Sequence, residues 1–449
     1  MLRYPSTPLN KNARQVVARL QAAGFTALWA GGCVRDLIMG SAPQDYDIAT
    51  NATPAQVLKI FPRALAVGKA FGVVRVALAK HEFEVATFRK DHAYQDGRHP
   101  QRVSFTNARL DALRRDFTIN ALFFDPLSKK IHDYVNGRAD IAAGIIRSVG
   151  RPAERFAEDY LRMLRAIRFA TTLDFQLESQ TLAAIHRQAA QIINFSAERI
   201  QQELTRILLE AKQAGDALIL LLWSGLLQAI LPEVVAMRGQ AQPPQFHPEG
   251  DVFLHTVLML NAMPQRSLRL AYAILLHDIG KPPTAQPGPD NRIRFYGHAE
   301  EGARMATEIL TRLRLPGDDI KAITFAIGNH MRFMDVRKMR RATLRRLVGA
   351  ATFPLELELH RLDCLTSHGD LCNFEFLKQF QEACRAEPIL PPPWISGSDL
   401  LALGVPQGPR IGYWKQLAYD AQLEKTFNSR PAGLAWLKKQ MRAQQKENS

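Results

Sequence analysis

The sequence predicts an α+β protein: a small mixed-sheet domain at the N-terminus, followed by an all-helical remainder. Three observations predict this. Up to about residue 145, short alternating runs interleave with short helical segments that end at glycine. From Pro152 onward the apolar residues recur at intervals of three and four, the period of a helix. Two proline-rich breaks, RGQAQPPQFHPEGD (238–251) and EPILPPPWISGSD (387–399), then divide the helical part. Four units are expected, spanning 1–145, 146–237, 245–386 and 390–449.

The N-terminal elements follow in order. ARQVVARLQAAG has helical spacing and stops at Gly24. FTALWAGG is a strand-like run that closes on a glycine turn, CVRDLIMG is a short helix, and DYDIAT begins a second strand. TPAQVLKIF is a helix with Thr53 as its N-cap and Pro54 at its first position. GVVRVALAK and HEFEVATFR alternate and are tightly joined, which predicts an antiparallel hairpin. DHAYQDGRHPQRVSF (91–105) is polar and aperiodic and is expected to be a mobile loop. Farther on, ALILLLWSGLLQAILPEVV is the most apolar segment; Ser224, Gly225 and Gln228 interrupt it, so a buried helix pair is expected rather than a membrane span.

Composition bounds the function. The 449 residues carry 58 Lys+Arg against 43 Asp+Glu, a net charge of +15, with basic residues spread along the chain. That excess points to a polyanionic partner, nucleic acid before membrane. Cys33, Cys364, Cys372 and Cys384 form no CxxC pair and are expected to be free thiols. MLRYPSTPLNKNARQVV has no apolar signal-peptide core, so a cytoplasmic protein is expected.

The densest chemistry lies in GGCVRDLIMGSAPQDYDIAT (31–50). Residues i and i+2 of a strand point the same way, so Asp45 and Asp47 present two carboxylates from one sheet edge. Like charges held that close are relieved by a divalent cation with oxygen ligands, Mg²⁺ above all. Glu82 and Glu84 share one face of the hairpin strand, and spacing does not choose between them as a third carboxylate. The glycine turn before a helix suits a triphosphate.

This stretch resembles the nucleotide-binding signature of the class II nucleotidyltransferases, the family of tRNA CCA-adding enzymes and bacterial poly(A) polymerases. The resemblance covers roughly residues 20–205; Ile38 departs from the usual leucine but leaves every polar position intact. It implies a polymerase β-like nucleotidyltransferase head over 1–145 and a helical neck and body over 146–237. It further implies catalytic Asp45, Asp47 and Glu84, with Mg²⁺ on the two aspartates and a triphosphate cradle of Gly31, Gly32 and Arg35. Arg35 has an alternative reading as a salt-bridge partner of Asp36 or Asp47. LRRDFTINALFFD (113–125) resembles the block that contacts ribose and phosphates, through Arg115, Asp116 and Asn120. AEDYLRMLRAIRFA (157–170), read as one helix, places Glu158, Asp159, Arg162 and Arg165 on its polar side. It resembles the E-D-x-x-R block in which the protein selects C and A, with Glu158 orienting Arg162. SAERIQQELTRIL (196–208) resembles the bracing helix that follows, with Ser196 as N-cap and no capping box. In this family a loop at 91–105 is linked to addition of the terminal A.

The second helical block holds His255, His277 with Asp278, His298, His330 and Asp363. LLHDIGK resembles the HD-domain signature, which implies a divalent-metal site over 245–386. Its basic ligands would be His255, His277, Asp278 and Asp363, with His298 and His330 available for a second ion. Mn, Co, Ni, Fe and Mg all suit such ligands. HMRFMDVRKMRRATLRRLV (330–348) is read as a basic helical face for an RNA backbone. No aromatic signature for sequence-specific RNA readout is present. The reading is a CCA tRNA nucleotidyltransferase acting on tRNA with CTP and ATP, with no membrane or protein partner. The alternatives are an A-adding enzyme or poly(A) polymerase, and an HD phosphohydrolase with a nucleotide-binding domain.

Overall fold

The computed structural model describes residues 6–67, 72–94, 100–243, 245, 247–248, 250–288, 292–385 and 387–447. The chain forms two compact units, one of residues 1–235 with 311–315 and one of residues 236–310 with 316–449.

In the first unit, helix α1 (Pro8–Ala22) is capped by Thr7, whose hydroxyl accepts the Asn10 N–H, and buries Ala13, Val16, Val17 and Leu20. Strand β1 (Ala27–Ala30) leads into α2 (Gly32–Ile38), β2 (Asp47–Thr50) and α3 (Pro54–Ile60), with Thr53 and Gln56 closing a capping box on α3. Then follow β3 (Leu65–Ala66), β4 (Val73–Leu78), β5 (His81–Thr87), β6 (Arg89–Tyr94), β7 (Pro100–Phe105), α4 (Ala108–Leu113), β8 (Leu122–Asp125), β9 (Lys130–Asp133) and α5 (Gly137–Ala143).

Seven strands make one mixed sheet in the order β3-β4-β5-β2-β1-β8-β9, in which β2 and β5 run parallel and the other neighbours antiparallel. The expected β4–β5 hairpin turns at Ala79 and Lys80, and Ala79 takes φ 55° because a two-residue turn matching the strand twist needs a left-handed residue. Trp29 of β1 is fully buried against Tyr46 (4.6 Å) and Phe124 (5.7 Å), which anchors the segment that leads into β2 at Asp47.

Two expectations change here. Residues 91–105 do not form an irregular loop: β6 and β7 pair antiparallel from Arg89↔Phe105 to Tyr94↔Pro100, while 95–99 lie outside the described residues. The ribbon's sequence is polar and offers no apolar alternation to betray a strand, and the pairing rests on backbone hydrogen bonds. Nor is DYDIAT strand throughout. The ladder begins at Asp47, opposite Ala30, and Asp45 precedes it.

The helices α6 (Pro152–Glu158), α7 (Leu161–Leu173), α8 (Ser179–Gln188), α9 (Ala197–Glu210), α10 (Ala214–Trp223), α11 (Leu226–Ile230) and α12 (Pro232–Val235) complete this unit. The stretch 157–170 is two helices rather than one. Asp159 adopts φ −156°, ψ 101°, and its carboxylate accepts the Leu161 N–H. A short acidic side chain that bonds its own backbone two residues on competes with helix propagation, and here it wins. The apolar stretch is the expected buried pair, α10 and α11, broken where Gly225 takes φ 78°.

The second unit contains α13 (Val252–Asn261), α14 (Leu268–Leu276), α15 (Lys281–Thr284), a two-stranded ribbon of Ala285–Pro287 with Ile293–Phe295, α16 (His298–Arg312) and α17 (Gly317–Asn329). A 3-10 segment (His330–Lys338), α18 (Arg341–Val348), α19 (Phe353–Thr366), α20 (Cys372–Ala383), α21 (Gly397–Ala402), α22 (Pro409–Leu423) and α23 (Arg430–Glu447) follow. The continuous basic face expected over 330–348 does not form. The 3-10 segment and α18 have different periods, and several of the side chains turn inward or onto neighbours while Arg337, Lys338 and Arg340 stay exposed. Arg345 is buried and donates to the Ile389 and Pro388 carbonyls, Arg346 pairs with Asp420, Arg332 with Glu356, and Arg337 donates to the Cys372 carbonyl. Among the described residues no helix is long and apolar enough to cross a membrane.

Candidate active site and metal centre

The first site is built where β1 ends. Gly31 takes φ 74°, a left-handed turn, and a Cβ there would come within 3.0 Å of the Arg115 guanidinium, so both conformation and space demand glycine. The turn opens a cleft of about 670 Å³ lined by the 31–50 motif, by the 114–120 segment, and by α7 and α9. Eight arginines line it (35, 114, 115, 162, 165, 168, 199 and 206) together with Asp36, Asp45, Asp47, Asp116, Asp159 and Glu203. The chemistry of such a wall suits a polyanion and a cation together.

The carboxylate cluster is assembled by strand register. Ile48 pairs with Val85 in the parallel β2–β5 ladder, so the residues before them, Asp47 and Glu84, stand side by side. Glu82 lies two residues away with Arg75 Nε at 3.7 Å. The choice left open by spacing therefore falls on Glu84. Enclosure in the cleft, then the nearby charges of Asp45 and Glu84, push the Asp47 carboxyl up to about 6, with Arg115 opposing. A carboxylate raised by enclosure and then by like-charged neighbours is a site in want of a cation.

The arginines of the cleft are held by acids, some close in sequence and one distant. Arg35 donates to Asp36 (2.9 and 2.7 Å) and to Asn120 Oδ1 (2.8 Å), so it both forms the salt bridge considered for it and lines the cleft. Buried Asp111 was not singled out from the sequence, yet it accepts from Arg114 (2.9 Å) and Arg115 (3.2 Å). Its i,i+3 and i,i+4 spacing to the two arginines was the available signal. Asp116 accepts from Arg165 at 2.9 and 2.5 Å across 49 residues of sequence. Burial alone would raise this carboxyl, but Arg165 and Arg162 outweigh it and hold it at about 2.

Glu158 accepts from Arg155 (2.7 Å) and from Arg162 (2.7 Å), so Arg162 is fixed in the cleft wall from behind. The nonhelical residue Asp159 turns its carboxyl into the same cleft, where burial raises it against the pull of Arg162. Phe169, also missed, carries Arg35, Arg165 and Arg168 around its ring, with guanidinium carbons 5.5, 5.3 and 4.4 Å from the centroid.

The second site lies among α13, α14, α16, α17 and α19. His255, His277 and Asp278 form one buried group whose ligand atoms lie within 4.8 Å of one another, and Asp278, His298 and His330 form another. His255 Nε2 lies 3.1 Å from Asp363 Oδ1. All six residues named from the sequence are thereby gathered. His277, His298 and His330 each turn Nδ1 to a backbone carbonyl three residues earlier, at 2.9, 2.8 and 2.6 Å. That bond selects the Nδ1–H tautomer and turns the Nε2 lone pairs into the cluster, where Nε2 of His298 and of His330 lie 3.2 Å apart and His277 Nε2 lies 3.2 Å from Asp278 Oδ2. Burial pushes His330 down to about 4 and also lowers His298, which keeps both imidazoles neutral. Burial would raise Asp278, but His277 and Lys281 hold it well below the carboxylate range. Both Asp278 oxygens and His277 Nε2 are buried without a hydrogen bond. Orphaned acceptors facing neutral imidazoles fit a divalent cation.

Comparison with known proteins agrees with this anatomy. Residues 27–147 match the poly A polymerase head domain, 174–237 the probable RNA- and SrmB-binding site of polymerase A, and 251–366 the HD domain. The CCA-adding enzyme of Staphylococcus epidermidis is 40% identical over 200 residues, 44% of this chain and 50% of that protein. The CCA-adding enzyme of Enterococcus faecalis is 43% identical over 206 residues, 46% of this chain and 50% of that protein. The chain thus spans about half the length of the curated relatives it matches. Among solved structures, the Bacillus stearothermophilus CCA-adding enzyme in complex with CTP superposes with a TM-score of 0.75 at 25% identity, covering 98% of this chain and all of that one. The Thermotoga maritima CCA-adding enzyme complexed with tRNA shares the fold, with a TM-score of 0.63 at 18% identity, covering 97% of this chain and 96% of that one. The chain thus joins a poly A polymerase head domain, the probable RNA- and SrmB-binding site of polymerase A and an HD domain, on a fold shared with solved CCA-adding enzymes.

Proposed function

We propose that the chain is a cytoplasmic CCA tRNA nucleotidyltransferase that transfers C, C and A from CTP and ATP to the 3′ end of tRNA and releases pyrophosphate. The observation that carries this reading is the cleft itself: three acids clustered at one end of an arginine-lined wall that also holds Asp159 and Arg162. Asp45, Asp47 and Glu84 would hold Mg²⁺, which when bound lowers the pKa of an attacking hydroxyl and neutralises a leaving phosphate. Gly31 and Gly32 let the backbone approach the triphosphate, Arg35 and Arg115 face its charge, and Asp116 and Asn120 hold the arginines around the sugar. Asp159 accepts and Arg162 donates, a pattern that suits the amino group and ring nitrogen of cytosine and adenine and opposes guanine and uracil. Glu158 keeps Arg162 in that pose. Incubating the protein with tRNA lacking CCA, with CTP and ATP together, and sequencing the 3′ ends tests the reading. CCA ends are expected; a single A or a run of A would assign one of the A-adding relatives instead. Asp45→Ala should abolish addition while tRNA binding persists.

A second activity is favoured by the buried ligand set of the other unit. His255, His277, Asp278 and Asp363, with His298 and His330, suit two divalent ions sharing Asp278, from Mg or the Mn, Co, Ni and Fe series, and phosphomonoester or cyclic phosphodiester hydrolysis. Metal-dependent phosphatase activity that His277→Ala abolishes, with nucleotide addition intact, is the expected result.

A further inference from the structure

Lys281 lies inside the histidine cluster, and nothing proposed above uses it. It opens α15, is only 7% exposed, and packs over the Phe295 ring at 5.6 Å. Its ammonium stands 2.7 Å from Asp278 Oδ2 and donates to Gln242 Oε1 at 2.6 Å. The two oxygens of Asp278 therefore keep different company. Oδ1 faces Nε2 of His298 (3.8 Å) and of His330 (3.9 Å). Oδ2 faces His277 Nε2 (3.2 Å) and the lysine.

A divalent ion on the Oδ1 side has two imidazoles and a carboxylate oxygen to itself. One on the Oδ2 side shares its oxygen with a fixed positive charge in a buried site, where like charges repel strongly. The lysine is aligned off the hydrogen-bonding direction of Asp278, whose oxygens have no hydrogen bond, while Gln242 Oε1 accepts a hydrogen bond from the ammonium. The ammonium thus adds charge beside the carboxylate without saturating its lone pairs, and it has a second partner to keep when a metal arrives.

We propose that Lys281 is an internal competitor of the divalent cation: it neutralises Asp278 in the metal-free site, weakens binding on the His255–His277 side, and makes the two metal positions unequal. This rests on the reading of the cluster as a metal site.

Titration of the metal-stripped full chain with Mn²⁺, in an Asp47→Asn background that disables the carboxylate cluster of the first unit and serves as the unmodified reference, followed by calorimetry and by the loss of free-ion paramagnetic signal, tests it. The unmodified protein is expected to show a tight and a weak class. Lys281→Met should tighten the weak class by about tenfold or more and lower the melting temperature of the metal-free protein. Lys281→Arg, which keeps the charge, should leave the weak class weak. Gln242→Leu removes the ammonium's other partner and should weaken that class further, and it carries the test if Lys281→Met does not fold. Two equal classes in the unmodified protein would overturn the inference. So would a folded Lys281→Met with unchanged or weaker binding, or a Gln242→Leu with unchanged or tighter binding. No Mn²⁺ uptake at all by the unmodified protein would overturn the metal-site reading along with it.

Discussion

Replacing Asp47 with asparagine should stabilise the metal-free protein while destroying its chemistry. The Asp47 carboxyl stands at about 6 against an ordinary 3.8, because the cleft encloses it and Asp45 and Glu84 repel its charge. The stability this group contributes is present below pH ~4, where it is protonated in both states, and is lost as the pH rises through about 6. At full value the shift corresponds to roughly 3 kcal/mol at pH 7.5. Asp47 is exposed by more than a third, however, so solvent screens it and about 1 kcal/mol is the expected gain. For a unit of this size that raises the melting temperature by roughly 2 °C. Thermal denaturation in chelator, at pH 7.5 and pH 4.5, is the assay. Asp47→Asn should melt higher than the unmodified protein at pH 7.5, the difference should shrink toward zero at pH 4.5, and added Mg²⁺ should narrow it by stabilising only the aspartate form. A variant less stable than the parent at pH 7.5, or a gain independent of pH, would refute the claim that repulsion among the three acids is stored in the fold.

Arg165→Met should destabilise the first unit by about 3 kcal/mol in denaturant unfolding, because it strands the buried Asp116 charge rather than removing a surface pair. Gly31→Ala should cost about 1–2 kcal/mol and raise KM for both nucleotides, since its Cβ meets Arg115 at 3.0 Å in a left-handed turn; an unchanged KM would separate that turn from the triphosphate. Glu158→Gln should lower kcat/KM for CTP and ATP by about tenfold and relax discrimination against UTP and GTP, measured by competing-nucleotide incorporation, because Arg162 loses the carboxylate that aims it. Chelation should lower the melting temperature of the second unit, and Mn²⁺ at about a hundred times its dissociation constant should restore roughly 2.7 kcal/mol, an effect that Asp278→Ala abolishes.

Local patterns were legible from the residues because they follow from one element's geometry. The glycine turn before α2, the Thr53-Pro54 helix start, the alternating β4–β5 hairpin and the apolar α10–α11 pair each depend on φ, period or a cap within a few residues. The resemblance added the roles, and it named Glu84 before the β2–β5 register set that residue beside Asp47. What sequence spacing misjudged was equally physical. The 91–105 ribbon is held by backbone pairing, and its polar sequence shows no period. Asp159 breaks a helix that apolar spacing alone would continue. The arginines of 330–348 look like one basic face only if a single helix carries them, and the switch from 3-10 to α scatters them onto separate partners.

The sequence by itself thus determined the chemical inventory: an Asp-x-Asp beside a glycine turn, an E-D-x-x-R stretch and six histidine and aspartate residues in order. Only the tertiary structure decided which members meet. Asp116 reaches Arg165 across 49 residues and His255 reaches Asp363 across 108, pairings that no period encodes. Asp278 is divided between two ligand groups, and Lys281, three residues along, is pressed against it, because burial leaves each charge no water and therefore requires a partner from whichever element packs nearest.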